Sequence, residues 1–281
     1  MISKTPETPI EVVKEGETNH KVQSSKFKFQ SKESSNLKVQ SKLKALLSST
    51  YFGPIQWYQK LNRYDECLIE RHESFIKQTY RNRMIIPTTN GPLSLTIPTN
   101  HDISLSMKDI RISDHANWRH VHWNALLSAY GESPFFEYYQ DDIRPFYEKK
   151  YEFLFDFNME TTEKMIELLD IRPKISITEE YILSEERRVK SEGTAFGGQG
   201  ESQFDSIANH KVQSSNLKVQ SKEVQSIVDF RDAIRPKKPL PDAEFVPKRY
   251  YQVYGQKHGF QPNMSILDLL FNEGNEAIFY L

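Results

Sequence analysis

Residues 113–139 read Ser-Asp-His-Ala-Asn-Trp-Arg-His-Val-His-Trp-Asn-Ala-Leu-Leu-Ser-Ala-Tyr-Gly-Glu-Ser-Pro-Phe-Phe-Glu-Tyr-Tyr, and the rest of the chain is organised around them. The stretch predicts one helix. Ser113 or Asp114 can cap its N-terminus, Gly131 can close it, and Pro134 bars continuation. Trp118, Val121, His122, Ala125, Leu126 and Ala129 recur at helical spacing and form one largely apolar face. His122 is the polar exception on that face, so it is read either as a satisfied core histidine or as a functional one.

Upstream, 45–50 reads as a short strand, and Gly53-Pro54 turns the chain into a helix carrying Ile55, Trp57, Tyr58 and Leu61. A second strand is expected at 67–70. The segments 84–87 and 93–98 flank Asn90-Gly91 as a hairpin, with a separation that suits a loop longer than two residues. A short strand is expected at 110–112. Downstream, 145–155 and 161–169 read as helices, the second ended by Pro173, and 265–272 as a last helix closed by Gly274. Between them, Pro236, Pro239, Pro241 and Pro247 mark an extended segment. Mixed strands and helices with a hairpin predict an α/β or α+β body, a mixed sheet with flanking helices in a single main domain interrupted by flexible inserts.

The inserts are legible as a repeat. Asn-His-Lys-Val-Gln-Ser-Ser at 19–25 recurs letter for letter at 209–215, and Ser-Ser-Asn-Leu-Lys-Val-Gln-Ser-Lys at 34–42 recurs at 214–222. A solenoid unit would carry apolar residues to stack on its neighbour, and these segments do not. They read as one repetitive element translated twice. The chain therefore divides into an extension at 1–42, a main body at 43–183, a linker at 184–228 holding Gly193, Gly197, Gly198 and Gly200, and the rest of the body at 229–281.

Composition narrows the function classes. The 281 residues are 37% hydrophobic, enough for one large or two small domains. No apolar run approaches the roughly 18 residues of a membrane span, and the opening residues lack the apolar stretch of a secretory signal. The single cysteine, Cys67, excludes an internal disulfide and a multi-cysteine metal site. A cytoplasmic protein is the expectation. The two Lys-rich segments at 19–42 and 209–226 carry net +5 and +2, which leaves −8 for the rest of a chain whose total is −1. An acidic body argues against nucleic acid as the main partner, because phosphate neutralisation needs clustered cations.

Four blocks give the body a resemblance. They are Tyr51-Phe-Gly-Pro-Ile-Gln-Trp-Tyr58, Phe75-Ile-Lys-Gln-Thr-Tyr-Arg-Asn-Arg83, Trp118-x3-His122-x7-Tyr130-x3-Pro134-Phe-Phe136, and Met264-Ser-Ile-Leu-Asp-Leu-Leu-Phe-Asn272-x-Gly274. Together and in this order the chain resembles the WbqC-like protein family. The resemblance implies work in surface-polysaccharide (O-antigen) metabolism, on a nucleotide sugar or amino sugar. It carries over no reaction and no cofactor. The Cys-Lys…Gly-Ala stretch that many members carry before the last block is replaced here by the linker.

Candidate site residues follow. His122, or His72 with Glu73, would serve as the acid–base group, since imidazole exchanges protons near neutral pH. Lys77, Asn82 and Arg83, which match the second block, would hold a phosphate or carboxylate. Gln56, Trp118, Tyr130, Asp268 and Asn272 are further substrate-binding candidates. Structural readings stand beside these: aromatic packing for the residues around Gln56, and a capping box for Ser265-x-x-Asp268. A metal site on the central helix is disfavoured, because His120 and His122 face opposite sides and His115 lies about 10 Å from His122 along the axis. The implied partner is a phosphate-bearing small molecule. A binding or scaffold protein is the alternative, presenting Phe135, Phe136, Tyr138 and Tyr139 with Tyr250 and Tyr251. Deleting both repeat copies is expected to leave expression and the thermal unfolding midpoint unchanged; insoluble or unfolded protein would show that the copies belong to the fold.

Overall fold

The computed structural model describes residues 43–100, 105–183 and 226–281. The extension at 1–42, the linker up to residue 225, both repeat copies and the glycines between them lie outside the described residues.

The body opens with strand β1 (Leu43–Ser48), whose Ala45, Leu46 and Leu47 are all buried without polar alternation. That pattern belongs to a strand covered on both faces. Helix α1 (Ile55–Arg63) leads to β2 (Glu66–Glu70), and a hairpin follows, β3 (Arg83–Thr88) with β4 (Gly91–Thr96). Short strands β5 (Thr99–Asn100) and β6 (Arg111–Ile112) precede α2 (Trp118–Tyr130), α3 (Phe136–Ile143), α4 (Pro145–Glu148) and α5 (Leu154–Leu168). The chain closes with β7 (Ile175–Ile177), β8 (Ser226–Asp229), α6 (Gly255–His258), α7 (Ile266–Glu273) and a final 3₁₀ turn, Gly274–Tyr280.

The main sheet has four strands in the order β7-β2-β1-β8, all parallel. The strands step outward from β1 through β2 to β7, then return to the far side of β1. The winding therefore reverses between β1 and β8. In open α/β sheets a crevice forms outside the carboxyl ends of the strands at such a point.

Several sequence expectations shift. The central helix begins at Trp118, because Ala116 (φ 64°) and Asn117 (φ 47°) are left-handed and break the chain after a 3₁₀ turn at His115–Asn117. Ser113 and Asp114 do not cap it: the Ser113 hydroxyl accepts from the His115 amide, and Asp114 pairs with Arg119 and Lys150. Val121, expected on the apolar face, is exposed, whereas Trp118, His122, Leu126 and Ala129 are buried. The expected helix at 145–155 ends at Glu148, where Lys149 turns extended, and a new helix starts at Leu154 and runs through 161–168. The hairpin loop has two residues, Thr89 and Asn90, since Thr88 already pairs with Gly91 (φ 97°). Strands β7 and β8 have three and four residues, too short to leave a pattern, and β8 begins inside the stretch read as linker.

The turn between β1 and α1 ties distant segments together. The Tyr51 amide donates to the Tyr80 carbonyl (2.9 Å), Ile55 to Met264 (3.1 Å), Ile266 to Gly53 (2.9 Å) and Ser265 to Ile85 (2.8 Å). The Ser265 hydroxyl donates to the Phe52 carbonyl at 2.7 Å. Phe52 is held at φ 39°, and a Cβ on Gly53 would sit 2.4 Å from Thr50 Oγ1 and 2.8 Å from its Cβ. Overpacking of this kind costs about 1–3 kcal/mol. Gly53→Ala is therefore expected to lower the urea unfolding free energy by that amount, and an unchanged midpoint would show that the turn relaxes freely.

Candidate functional site

At the N-terminal end of α2 an open groove of about 360 Å³ is lined by Arg119, His120, Trp123, Arg144, Tyr147 and Lys150, together with Asn117 and Glu148. Its size lies within the range of small-molecule sites. Its charge is mostly positive. Three of the cations have surface partners: Arg119 meets Asp114 at 2.5 Å, Lys150 meets the same carboxylate at 2.9 Å, and Arg144 meets Glu148 at 2.6 Å. Arg119 and Lys150 hold the Asp114 carboxyl below its usual pKa range. The Arg119 guanidinium also lies 4.7 Å over the Trp118 ring and donates to the Lys149 carbonyl, while its Nη2 is buried with no partner. No side chain caps the first turn of α2, and no acidic residue lies in it. A helix N-terminus in that state favours an anion. Trp123 and Tyr147 stand 5.8 Å apart and form an aromatic wall.

A hydrogen-bond chain runs from this groove into the core. Tyr147 Oη lies 2.9 Å from Tyr51 Oη, which lies 3.0 Å from His122 Nδ1. The His122 ring also bonds the Thr96 backbone, stacks beside Tyr51 and meets the edge of Trp118. Burial pulls its pKa down to about 4 against the weaker upward pull of Thr96. His122 is thus neutral at pH 7, with Nδ1 accepting from Tyr51. Burial raises the pKa of both Tyr51 and Tyr147, so both hydroxyls keep their protons. The chain is polarised inward, with Tyr147 donating to Tyr51 and Tyr51 to His122.

The structure distributes the sequence candidates over several places. His122 and Trp118 pack behind the groove, with the Trp118 Nε1 buried and unpartnered. Lys77 is exposed on the loop before β3, and Arg83 Nε donates to Thr96 Oγ1 on the hairpin. Asn82 is buried and donates to the Ile97 carbonyl. Gln56 is buried between Asn263 and Asp242, beside the fully buried Lys60 that pairs with Asp242 and Glu244. Glu73 is buried against Arg81, and the neighbouring His72 amide donates to Glu70. Tyr130, Asp268 and Asn272 meet in the core with Tyr250 and Gln252. The capping-box reading holds for Ser265, which accepts from the Leu267 amide. It fails for Asp268, whose carboxylate instead accepts from Tyr250 and Gln252. Of the aromatics read as a docking face, Phe136, Tyr139 and Tyr250 are buried; Phe135, Tyr138 and Tyr251 are exposed. Sequence reasoning missed Arg119, Arg144, Tyr147 and Lys150. Arg144, Tyr147 and Lys150 share only a basic and aromatic bias around 144–151, which a helix and its surface also explain, and Arg119 lies outside it.

The sequence profile of the WbqC-like protein family matches residues 48–280. "Uncharacterized protein Rv1507c" of Mycobacterium tuberculosis (strain ATCC 25618 / H37Rv) is 27% identical over 243 residues, covering 84% of this chain and 96% of the relative. No solved structure matches. No helix among the described residues is long and apolar enough to cross a membrane.

Two buried groups oppose one another in their response to pH. His122 is depressed to about 4, so acidification below its unfolded value near 6.5 removes stability. Burial raises Asp268 to about 6, so it binds its proton more tightly folded than unfolded, and its contribution is lost as pH rises through 6. Asp268→Asn is therefore expected to gain stability relative to the parent between pH 4 and pH 7, by up to about 3 kcal/mol at 1.36 kcal/mol per unit. Urea unfolding of both proteins at the two pH values checks this; a pH-independent difference would mean that Asp268 does not titrate in that window.

Proposed function

The chain belongs to the WbqC-like protein family, and we propose on that premise that it is a transferase-type enzyme of surface-polysaccharide metabolism acting on a nucleotide sugar or amino sugar. The observation that carries this reading is the groove on α2, where cations and an aromatic wall meet an uncapped helix start. Arg119, Arg144 and Lys150 would hold a diphosphate, as point charges and planar forks do for phosphate elsewhere. Trp123 would stack on the base or the sugar face.

Tyr147 lines the groove while its hydroxyl donates inward to Tyr51, so it would offer the substrate a fixed aromatic surface. His122 would orient Tyr51 and Tyr147 through the hydrogen-bond chain. Taking a proton at pH 7 with a pKa of about 4 costs the imidazole about 4 kcal/mol, which makes it a positioning residue in this reading. The phosphate role moves from Lys77 and Arg83 to the groove cations, because neither of the former lines the groove.

Titration calorimetry with UDP, UDP-glucose and UDP-N-acetylglucosamine tests the reading. Arg144 is on the surface, and its pair with Glu148 contributes about 0–1 kcal/mol, so Arg144→Ala should fold normally. It is expected to weaken nucleotide binding at least roughly tenfold, and added salt should weaken it further. Equal affinity in parent and variant would remove the groove from consideration.

A further inference from the structure

A second site stands at the carboxyl end of the parallel sheet, where the winding reverses between β1 and β8. It has two adjoining chambers. The outer one, about 140 Å³, is lined by Glu73, Asp229 and Asp232 together with Arg81, Arg231 and Arg235. The inner one, about 10 Å³, has room for one water-sized atom and is lined by Ser48, Thr50, Arg81 and Arg231 among apolar neighbours. Arg81 and Arg231 line both chambers, which places the chambers side by side.

The two chambers differ in charge. Three guanidiniums balance three carboxylates in the outer chamber. Among the described residues, the inner chamber is lined by two guanidiniums and no carboxylate. The inner end also has unused donors. Arg231 is 5% exposed; its Nε and Nη2 are spent on Asp229 and on the Ile182 carbonyl, but its Nη1 has no hydrogen-bond partner among the described residues. It forms an ion pair with Glu70 at 3.6 Å, beyond hydrogen-bond reach. Thr50 Oγ1 is likewise buried and unpartnered. Arg81 differs, being satisfied by Glu73, Ser48 and Thr79. Buried polar groups without partners are uncommon and costly, and both residues line the inner chamber.

We propose that this cleft binds a free α-amino acid, with one carboxylate oxygen in the inner chamber against Arg231 Nη1 and Thr50 Oγ1, and the ammonium group in the outer chamber facing Asp229, Asp232 and Glu73. The carboxylate supplies a single planar oxygen that the inner chamber can admit. A phosphate has four oxygens and a charge near −2, and it brings no cation of its own to a chamber whose three carboxylates are already matched by three guanidiniums. A lone amine leaves the Arg231 donor unsatisfied. This inference does not depend on the groove on α2, which shares no lining residue with the cleft.

Calorimetric titration of the full chain with glycine, L-alanine and L-glutamate, beside acetate, methylammonium and inorganic phosphate, tests it. Saturable binding of at least one amino acid is expected, at least roughly tenfold tighter than acetate or methylammonium. Thr50→Val keeps the shape and removes the hydroxyl, and Asp232→Asn removes one outer charge. Each is expected to weaken binding roughly three- to tenfold at an unchanged thermal midpoint. No saturable heat from any amino acid would overturn the proposal. So would acetate or phosphate binding as tightly, or both variants binding like the parent.

Discussion

Five hydrogen bonds around residues 51–55 hold the protein's distant segments to one place. They join the end of β1 to the loop before β3 and to the entry of α7, and the entry of α7 in turn to β3. Each bond is ordinary and contributes about 1 kcal/mol net. Their weight comes from position, because they link the strand end, the hairpin and the last helix to one another. Phe52 at a positive φ and Gly53 beside Thr50 are the local strain that this junction tolerates. The amide of Phe135, donating to the Phe271 carbonyl at 3.0 Å, adds the segment after α2 to the same assembly. All four blocks of the family resemblance therefore meet in space.

From this junction the polar chemistry diverges in two directions. One side leads through Tyr51 to Tyr147 and the cationic groove at the start of α2. The other leads from the end of β1, through Ser48 and Thr50, to the guanidinium–carboxylate cleft. A parallel sheet directs its carboxyl ends to one edge, and the reversal of winding between β1 and β8 leaves an opening there. Arg81 donates from all three of its guanidinium nitrogens, so it serves as a wall of the cleft, whereas Arg231 Nη1 makes no hydrogen bond among the described residues.

The buried titratable groups are held in unequal ways. His122 is neutral and bonded on both ring edges, and Asp268 has a pKa near neutrality within a cluster of tyrosine and amide donors. Both sit in dry surroundings that disfavour charge. For the histidine, burial favours loss of the proton; for the aspartate, it favours retention. Cys67 follows the same rule, its thiol pushed up to about 12, mainly by burial, in the middle of β2. It behaves as a small core residue.

The sequence by itself determined the family, the α/β class and the existence of β1, α1, β2, the hairpin, α2 and the last helix, because each of these has a local pattern of apolar spacing or turn residues. It also marked His122, Trp118, Gln56 and Asp268 as polar or aromatic residues set in apolar runs, and all four are buried. Only the tertiary structure decided which of them share a place. Ala116 and Asn117 break the helix start through backbone angles that no spacing rule reveals. Strands β7 and β8 are too short to signal themselves and are fixed by pairing with β2 and β1. Arg231 meets Glu73 and Arg81 across more than a hundred residues, and Tyr147 meets Tyr51 across 96. Such contacts are made by the packing of whole elements, and local sequence does not encode distances of that kind.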